Sequence, residues 1–299
     1  GGVTPPERRS HPRRGCAEHS GASSWRLVSE PASDPRRILA MGGGGFTMQE
    51  RSPVLDRLVL SLTGKPAPKV CFLPTASGDP REQTTRFYER FAAWPCEPSI
   101  LSLFHLARDR INPYEHLLAQ DAIYVGGGSM RNMLAIWREH GVDAAMRQAW
   151  ESGVVLAGLS AGAMCWFRGG VTMSGGAPAV VAGLGLLEGS LSVHLDSEPE
   201  RLPVFREAVA SGRLEAGYAA DDSAALVFAG DQLQSCVASS PASRVLRVRP
   251  DGAGSVSVEE MPVKVLSDHD ETRPAGPAET ESYGVSELRA LRAGRRRWD

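Results

Sequence analysis

Val154-Val155-Leu156-Ala157-Gly158-Leu159-Ser160-Ala161-Gly162-Ala163-Met164 is the stretch on which the fold turns. Its first half reads as a buried strand and its second as the start of a helix, with Ser160 at the junction inside a G-x-S-x-G pattern. A serine on such a turn is held in strained backbone geometry with its hydroxyl clear of the surface, so its neighbours must be small. Gly158, Ala161 and Gly162 meet that demand, and the following helix aims free N–H groups and the positive end of its dipole at the serine. A close-packed turn with a solvated serine fits the same five letters. The pattern therefore needs partners before it means chemistry.

Upstream, short apolar runs alternate with amphipathic stretches. Residues 37–46 (RILAMGGGGF), 69–77 (KVCFLPTAS), 99–106 (SILSLFHL) and 121–129 (DAIYVGGGS) read as strands, each ending in small or polar residues. Residues 52–62, 80–94, 113–120 and 129–153 carry apolar residues at helical spacing. With the Ser160 strand as the fifth, this is the pattern of a parallel sheet with helices on both faces, whose strand C-termini share one rim. The expected fold is α/β, a three-layer sandwich around a mainly parallel central sheet.

Gly126, Gly127 and Gly128 fall on that rim, where bare backbone lets N–H groups approach a substrate carbonyl. A tight turn with positive φ is the plainer use of the same glycines. Gly42 to Gly45 invite a dinucleotide-binding reading that fails, because Thr47 stands where the third glycine of G-x-G-x-x-G belongs. Beyond Arg168 the chain is Gly-rich. A short strand reaching His194, a helix over 199–212 and short strands from Gly217 to about Leu266 then follow without a linker. Residues 1–36 are expected to be a disordered leader, 37–266 a single catalytic domain and 267–299 a polar tail.

A serine nucleophile requires a base within hydrogen-bond reach and a third group to hold that base. Of seven histidines, His11 and His19 lie in the leader, His116 and His140 in helical patterns, and His105 at the end of a strand well before the serine. His194, in SLSVHLDSEPER, ends a short apolar strand just before a helix and so sits at a rim. A satisfied polar residue at a strand end has the same signature. His194 and Asp196 lack a third ligand at recognisable spacing, so no metal is expected. For the acid, GYAADDSAALVF offers Asp221 and Asp222 in a turn between two strands, and Asp222 is favoured. A solvated turn is the plainer reading of two adjacent carboxylates.

The 299 residues are 42% hydrophobic and 23% charged, with a formal net charge of −2. That balance gives no pull towards phosphate backbones or anionic lipid, so neither nucleic acid nor membrane is expected as a partner. There is no run of about 18 apolar residues and no secretory signal. Five cysteines, an odd set without a C-x-x-C pair, favour reduced thiols and a cytoplasmic setting.

The ordered series GGGS, GLSAGAMCWF, GGVT, VHLDSEPER and DDSAALVF resembles the peptidase E (aspartyl dipeptidase) family, whose relatives include cyanophycinase and whose fold is similar to class I glutamine amidotransferases (flavodoxin-like). The resemblance runs from about Arg37 to Leu266. It implies a Ser-His-acid hydrolase that removes an N-terminal aspartate from dipeptides or short peptides, without metal or cofactor; a homodimer is left open. It places Ser160 as nucleophile, His194 as base, and Gly127, Gly128 and Ala161 around the oxyanion. Recognition of an acidic first residue requires a cation, and Arg131 and Arg201 are the rim candidates.

Two positions depart from the family pattern. Met173 stands where the family often has an aspartate proposed as the third triad member, so either the acid comes from elsewhere or activity is reduced; cyanophycinase-like relatives carry an acidic residue in the turn that aligns with Asp222. Leu159 stands where many relatives have tryptophan, which bears on the pocket wall. Two rival readings remain: an α/β-hydrolase esterase using Ser160, Asp222 and His269, and a non-catalytic amidotransferase-like binding module.

Overall fold

The computed structural model describes residues 1–2, 34–48, 52–252 and 254–267. The expected leader and tail lie almost wholly outside these residues, and so does His269. All five expected strands form: β1 (Arg37–Met41), β2 (Lys69–Leu73), β3 (Glu97–Ile100), β4 (Ala122–Val125) and β5 (Val155–Leu159). They run parallel in the spatial order β1-β5-β4-β2-β3.

Period-two alternation sends their side chains into two separate cores. Ile38, Ala40, Cys71, Leu73, Ile123, Val125 and Leu156 face one way, and Leu39, Met41, Val70, Phe72, Tyr124 and Leu159 face the other. The helices, in chain order, are α1 (Val54–Leu62), α2 (Arg81–Phe91), α3 (Leu106–Asp109), α4 (Pro113–Leu118), α5 (Met130–His140) and α6 (Val142–Glu151). Helices α5 and α6 bury Met133, Trp137, Met146 and Trp150 in the first core, while α1 and α2 bury Leu55, Val59, Phe87 and Phe91 in the second. The three-layer sandwich is thus present.

Two local expectations are corrected. The continuous helical pattern over 129–153 is split at Gly141, whose φ of +67° caps α5 and starts α6. The apolar run expected as a strand to residue 106 pairs only as far as Ile100, and His105 precedes α3 instead of ending a strand.

Beyond α7 (Ala161–Met164), the chain builds a second sheet. Strands β6 (Phe167–Thr172), β7 (Ala179–Ala182), β8 (Leu187–Ser192) and β9 (Gly217–Ala220) belong to it, with α8 (Arg201–Ala210) between β8 and β9. The chain then crosses to the first sheet as β10 (Ala224–Ala229) and β11 (Gln232–Ala238), returns as β12 (Val245–Pro250) and β13 (Val256–Glu260), and ends with β14 (Val263–Val265). The sheets have eight strands, β14-β11-β10-β1-β5-β4-β2-β3, and six, β13-β12-β9-β8-β6-β7. The Gly-rich stretch after Arg168 is therefore two strands. A Cβ at Gly170 would lie 2.2 Å from the Leu191 carbonyl oxygen, so glycine is what lets β6 approach β8 so closely. Phe167, Leu187 and Leu191 of the second sheet share one core with Leu226 and Phe228 of the first, while α8 packs on its other face through Phe205 and Val209.

Candidate active site

Ser160 sits where β5 runs into α7, with φ 54° and ψ −117°. Such backbone costs on the order of 1–3 kcal/mol and persists only where the surroundings enforce it. The enforcement here is close backbone packing. A Cβ at Gly158 would lie 2.2 Å from the Gly162 carbonyl oxygen, and one at Gly162 would lie 2.4 Å from that of Val125. Among the five positive-φ non-glycine residues described, Ser160, His194 and Ser223 all fall at this site.

The three residues expected to act together are in contact. Ser160 Oγ lies 2.9 Å from His194 Nε2, and His194 Nδ1 lies 2.5 Å from Asp222 Oδ1. With the imidazole proton on Nδ1, each bond has a consistent direction: Ser160 donates to His194 and His194 donates to Asp222. The group is largely sheltered, the His194 and Asp222 side chains being 12% and 19% exposed.

These partners come from the second sheet. β8 and β9 are parallel neighbours, with Ser192 opposite Ala219, so the segments that follow them emerge side by side. His194 follows β8. Asp222 lies where the chain crosses from β9 in one sheet to β10 in the other. The two adjacent carboxylates have separate fates. Asp221 is buried and accepts hydrogen bonds from the Arg244 backbone N–H (2.7 Å) and Nε (3.1 Å). Asp222 faces the imidazole.

Burial would push the Asp222 carboxyl up, but hydrogen bonds from His194 and Ser197, with the positive field of His194 and Arg201, leave it below its ordinary range. Ser197 Oγ donates to Asp222 Oδ2 at 2.7 Å, and the Asp222 N–H donates to Asp196 Oδ1 at 2.8 Å. Neither residue's contact was legible in the sequence beyond proximity to His194. Gly43 was also missed. A Cβ there would sit 1.9 Å from Asp222 Oδ1 and 2.9 Å from His194 Cε1. The glycine run after β1, unsuited to a dinucleotide, leaves room for His194 and Asp222.

The backbone of Ala161 and of Gly127 adjoins Ser160. The N–H of Ser160 itself is taken by the Met41 carbonyl at 3.1 Å. No hydrogen bond among the described residues engages the N–H of Ala161, Gly127 or Gly128. Gly127 lies against the serine, for a Cβ on it would come within 3.1 Å of Ser160 Cβ and 2.9 Å of Leu159 Cδ1. Gly128, with φ 137°, packs so tightly that a Cβ would lie 2.3 Å from the Ala76 carbonyl oxygen. Ser129 caps α5, its Oγ accepting from the Asn132 N–H at 3.3 Å, which anchors the glycine loop to a rigid helix.

The remaining candidates are less central. Leu159 is buried in the core beneath Gly127, and Met173 follows β6 half-buried. Arg201, expected on the rim, is 4% exposed; it pairs with Glu198 and donates to the Val171 carbonyl at 2.7 Å. Arg131 is exposed in the first turn of α5, reaching the Val180 carbonyl at 3.5 Å. No helix among the described residues is long and apolar enough to cross a membrane.

Comparison with known proteins bears on the family and the fold. The family model for peptidase family S51 matches residues 38–236, more than half of the chain. A Bacillus subtilis (strain 168) protein described as "Uncharacterized peptidase YgaJ" is 43% identical over 231 residues, covering 77% of this chain and 99% of that protein. The crystal structure of a peptidase from an acI-B1 Actinobacterium superposes with a TM-score of 0.54 at 18% identity, over 76% of this chain and 94% of that one. At that identity it is the fold that the two share.

Proposed function

The chain belongs to peptidase family S51 and is a peptidase, and on that premise we propose that it is a serine exopeptidase that removes an N-terminal aspartate from dipeptides and short peptides. The observation that carries this reading is the continuous hydrogen-bonded chain Ser160–His194–Asp222. Ser160 Oγ attacks the scissile carbonyl carbon while His194 Nε2 takes its proton, and the tetrahedral intermediate collapses as His194 returns that proton to the leaving amine. Water, deprotonated by His194, then releases the acyl group and regenerates Ser160. Asp222 stays ionised throughout and holds the imidazole with Nδ1 protonated.

The N–H groups of Ala161, Gly127 and Gly128 receive the oxyanion, a role supported by their lack of partners among the described residues. Losing one such donor costs roughly 100- to 1,000-fold in rate. Arg131 is the cation that meets the acidic side chain, since it is exposed in the first turn of the helix that follows the glycine loop, reaching the Val180 carbonyl, whereas Arg201 is buried against Glu198 and Val171. A reducing cytoplasm suits the four described cysteines, which are free and buried, burial pushing Cys71 and Cys96 up to about 12.

Hydrolysis of an Asp-X and Ala-X dipeptide panel by wild type, Ser160→Ala and Arg131→Ala tests the reading. Wild type should cleave Asp-X, Ser160→Ala should not, and Arg131→Ala should lose the preference over Ala-X. Cleavage surviving in Ser160→Ala would refute the serine mechanism, and unchanged discrimination in Arg131→Ala would remove that residue from the specificity pocket.

A further inference from the structure

The hydrogen-bonded chain at the site does not end at Asp222. Its Oδ1 receives the imidazole N–H, and its second oxygen, Oδ2, receives the hydroxyl of Ser197 at 2.7 Å. We propose that Ser197 is a positioning residue of the hydrolytic reaction, its hydroxyl locking the Asp222 carboxylate in the rotation that presents Oδ1 to His194. The inference rests on the reading of Ser160, His194 and Asp222 as the reacting group.

Three observations carry it. A carboxylate turns about its last bond at little cost, so one oxygen bound to an imidazole does not define its plane, whereas two oxygens bound to separate donors do. The backbone of the acid is held by other groups: the Asp222 N–H donates to Asp196 Oδ1 at 2.8 Å, and Ser243 Oγ donates to the Asp222 carbonyl at 2.7 Å. What remains for Ser197 is the side chain. Finally, Ser197 is exposed and does no evident structural work. The helix that follows it has Glu200 at its cap without a side-chain bond, and among the described residues the bond to Asp222 is the one that Ser197 Oγ makes.

One turn, His194 to Ser197, thus supplies the base and clamps the acid. The hydroxyl also helps to hold Asp222 ionised against the opposing effect of burial.

The rate at which a fluorophosphonate labels Ser160 reads nucleophile activation without knowledge of the natural peptide. It should be measured for wild type, Ser197→Ala, Ser197→Thr and Ser160→Ala, with the Tm of each. The expected result is about tenfold slower labelling in Ser197→Ala at unchanged Tm, restored to within threefold of wild type in Ser197→Thr, which returns the hydroxyl. Labelling of Ser197→Ala within twofold of wild type would overturn the proposal. So would a slow rate that threonine does not rescue, or one that accompanies a fall in Tm of several degrees. If wild type itself is not labelled, or Ser160→Ala is labelled equally, the serine reading fails first and the role of Ser197 falls with it.

Discussion

The two sides of the candidate active site are built in different ways. Ser160, Ala161 and the Gly127–Gly128 backbone stand on the parallel sheet, where β4 and β5 end side by side and adjacent glycines force the geometry. His194 and Asp222 stand at the ends of β8 and β9, on a second sheet, and meet the serine only because the chain crosses from one sheet to the other between β9 and β10. The first side needs one pairing between adjacent parallel strands and a strained turn of residues close in sequence; the other needs strands of a second sheet. Local backbone strain is enough to present the Ser160 hydroxyl, but not to bring His194 and Asp222 to it.

That contrast can be broken from either side. Ser160→Ala on the first side and His194→Ala on the second should each lower kcat on an Asp-X peptide by roughly 10⁶-fold, because members of such a unit fail together. A His194→Ala enzyme with more than a few per cent of wild-type kcat would separate the two sides. Asp222→Asn should cost about 10⁴-fold, since an amide cannot hold Nδ1 protonated. Its neighbour divides the roles: Asp221→Asn should keep most of the activity but lose about 1–3 kcal/mol in a urea melt through its weakened bonds to Arg244. The reverse ranking in turnover would put the acid at Asp221.

Glycine substitutions sharpen the comparison. Gly43→Ala drives a methyl to 1.9 Å from Asp222 Oδ1 and should cost about 100-fold in kcat by displacing the acid. Gly127→Ala meets the movable tip of Leu159 at 2.9 Å and should cost less. If it costs more, the serine side is the less tolerant of the two. The smallest effect concerns stability. Asp222 has a lowered pKa in the folded chain, so its ionisation stabilises the fold above the ordinary carboxylate range, and that contribution is lost as pH falls through the lowered value. Wild type should therefore lose more stability than Asp222→Asn between pH 6 and pH 3, read by denaturant midpoints; identical losses would contradict the shift.

Much of the parallel side was legible in the sequence. β1, β2, β4 and β5 are short apolar runs, and their alternation feeds two cores that helical stretches of matching period cover. Ser160 was legible for the same reason, since a strained turn needs small neighbours within two residues of it. The second sheet was harder. β6 and β7 contain Gly169, Gly170 and a short, largely half-buried run that carry little periodic signal, and their pairing was invisible without β8. Arg201 read as a rim cation because a guanidinium matches the carboxylate of an acidic residue, yet α8 packs it against β6 and Glu198.

The sequence by itself determined the α/β class, the apolar runs of the parallel strands and the small-residue turn that carries Ser160, because each rests on contiguous residues whose spacing is read directly. Only the tertiary structure decided which of Asp221 and Asp222 faces His194, why Gly43 must lack a side chain, and that Ser197 touches the acid. Those contacts join segments far apart in the chain. They exist only once β8, β9 and β10 have been placed by pairing and burial, which no local pattern encodes.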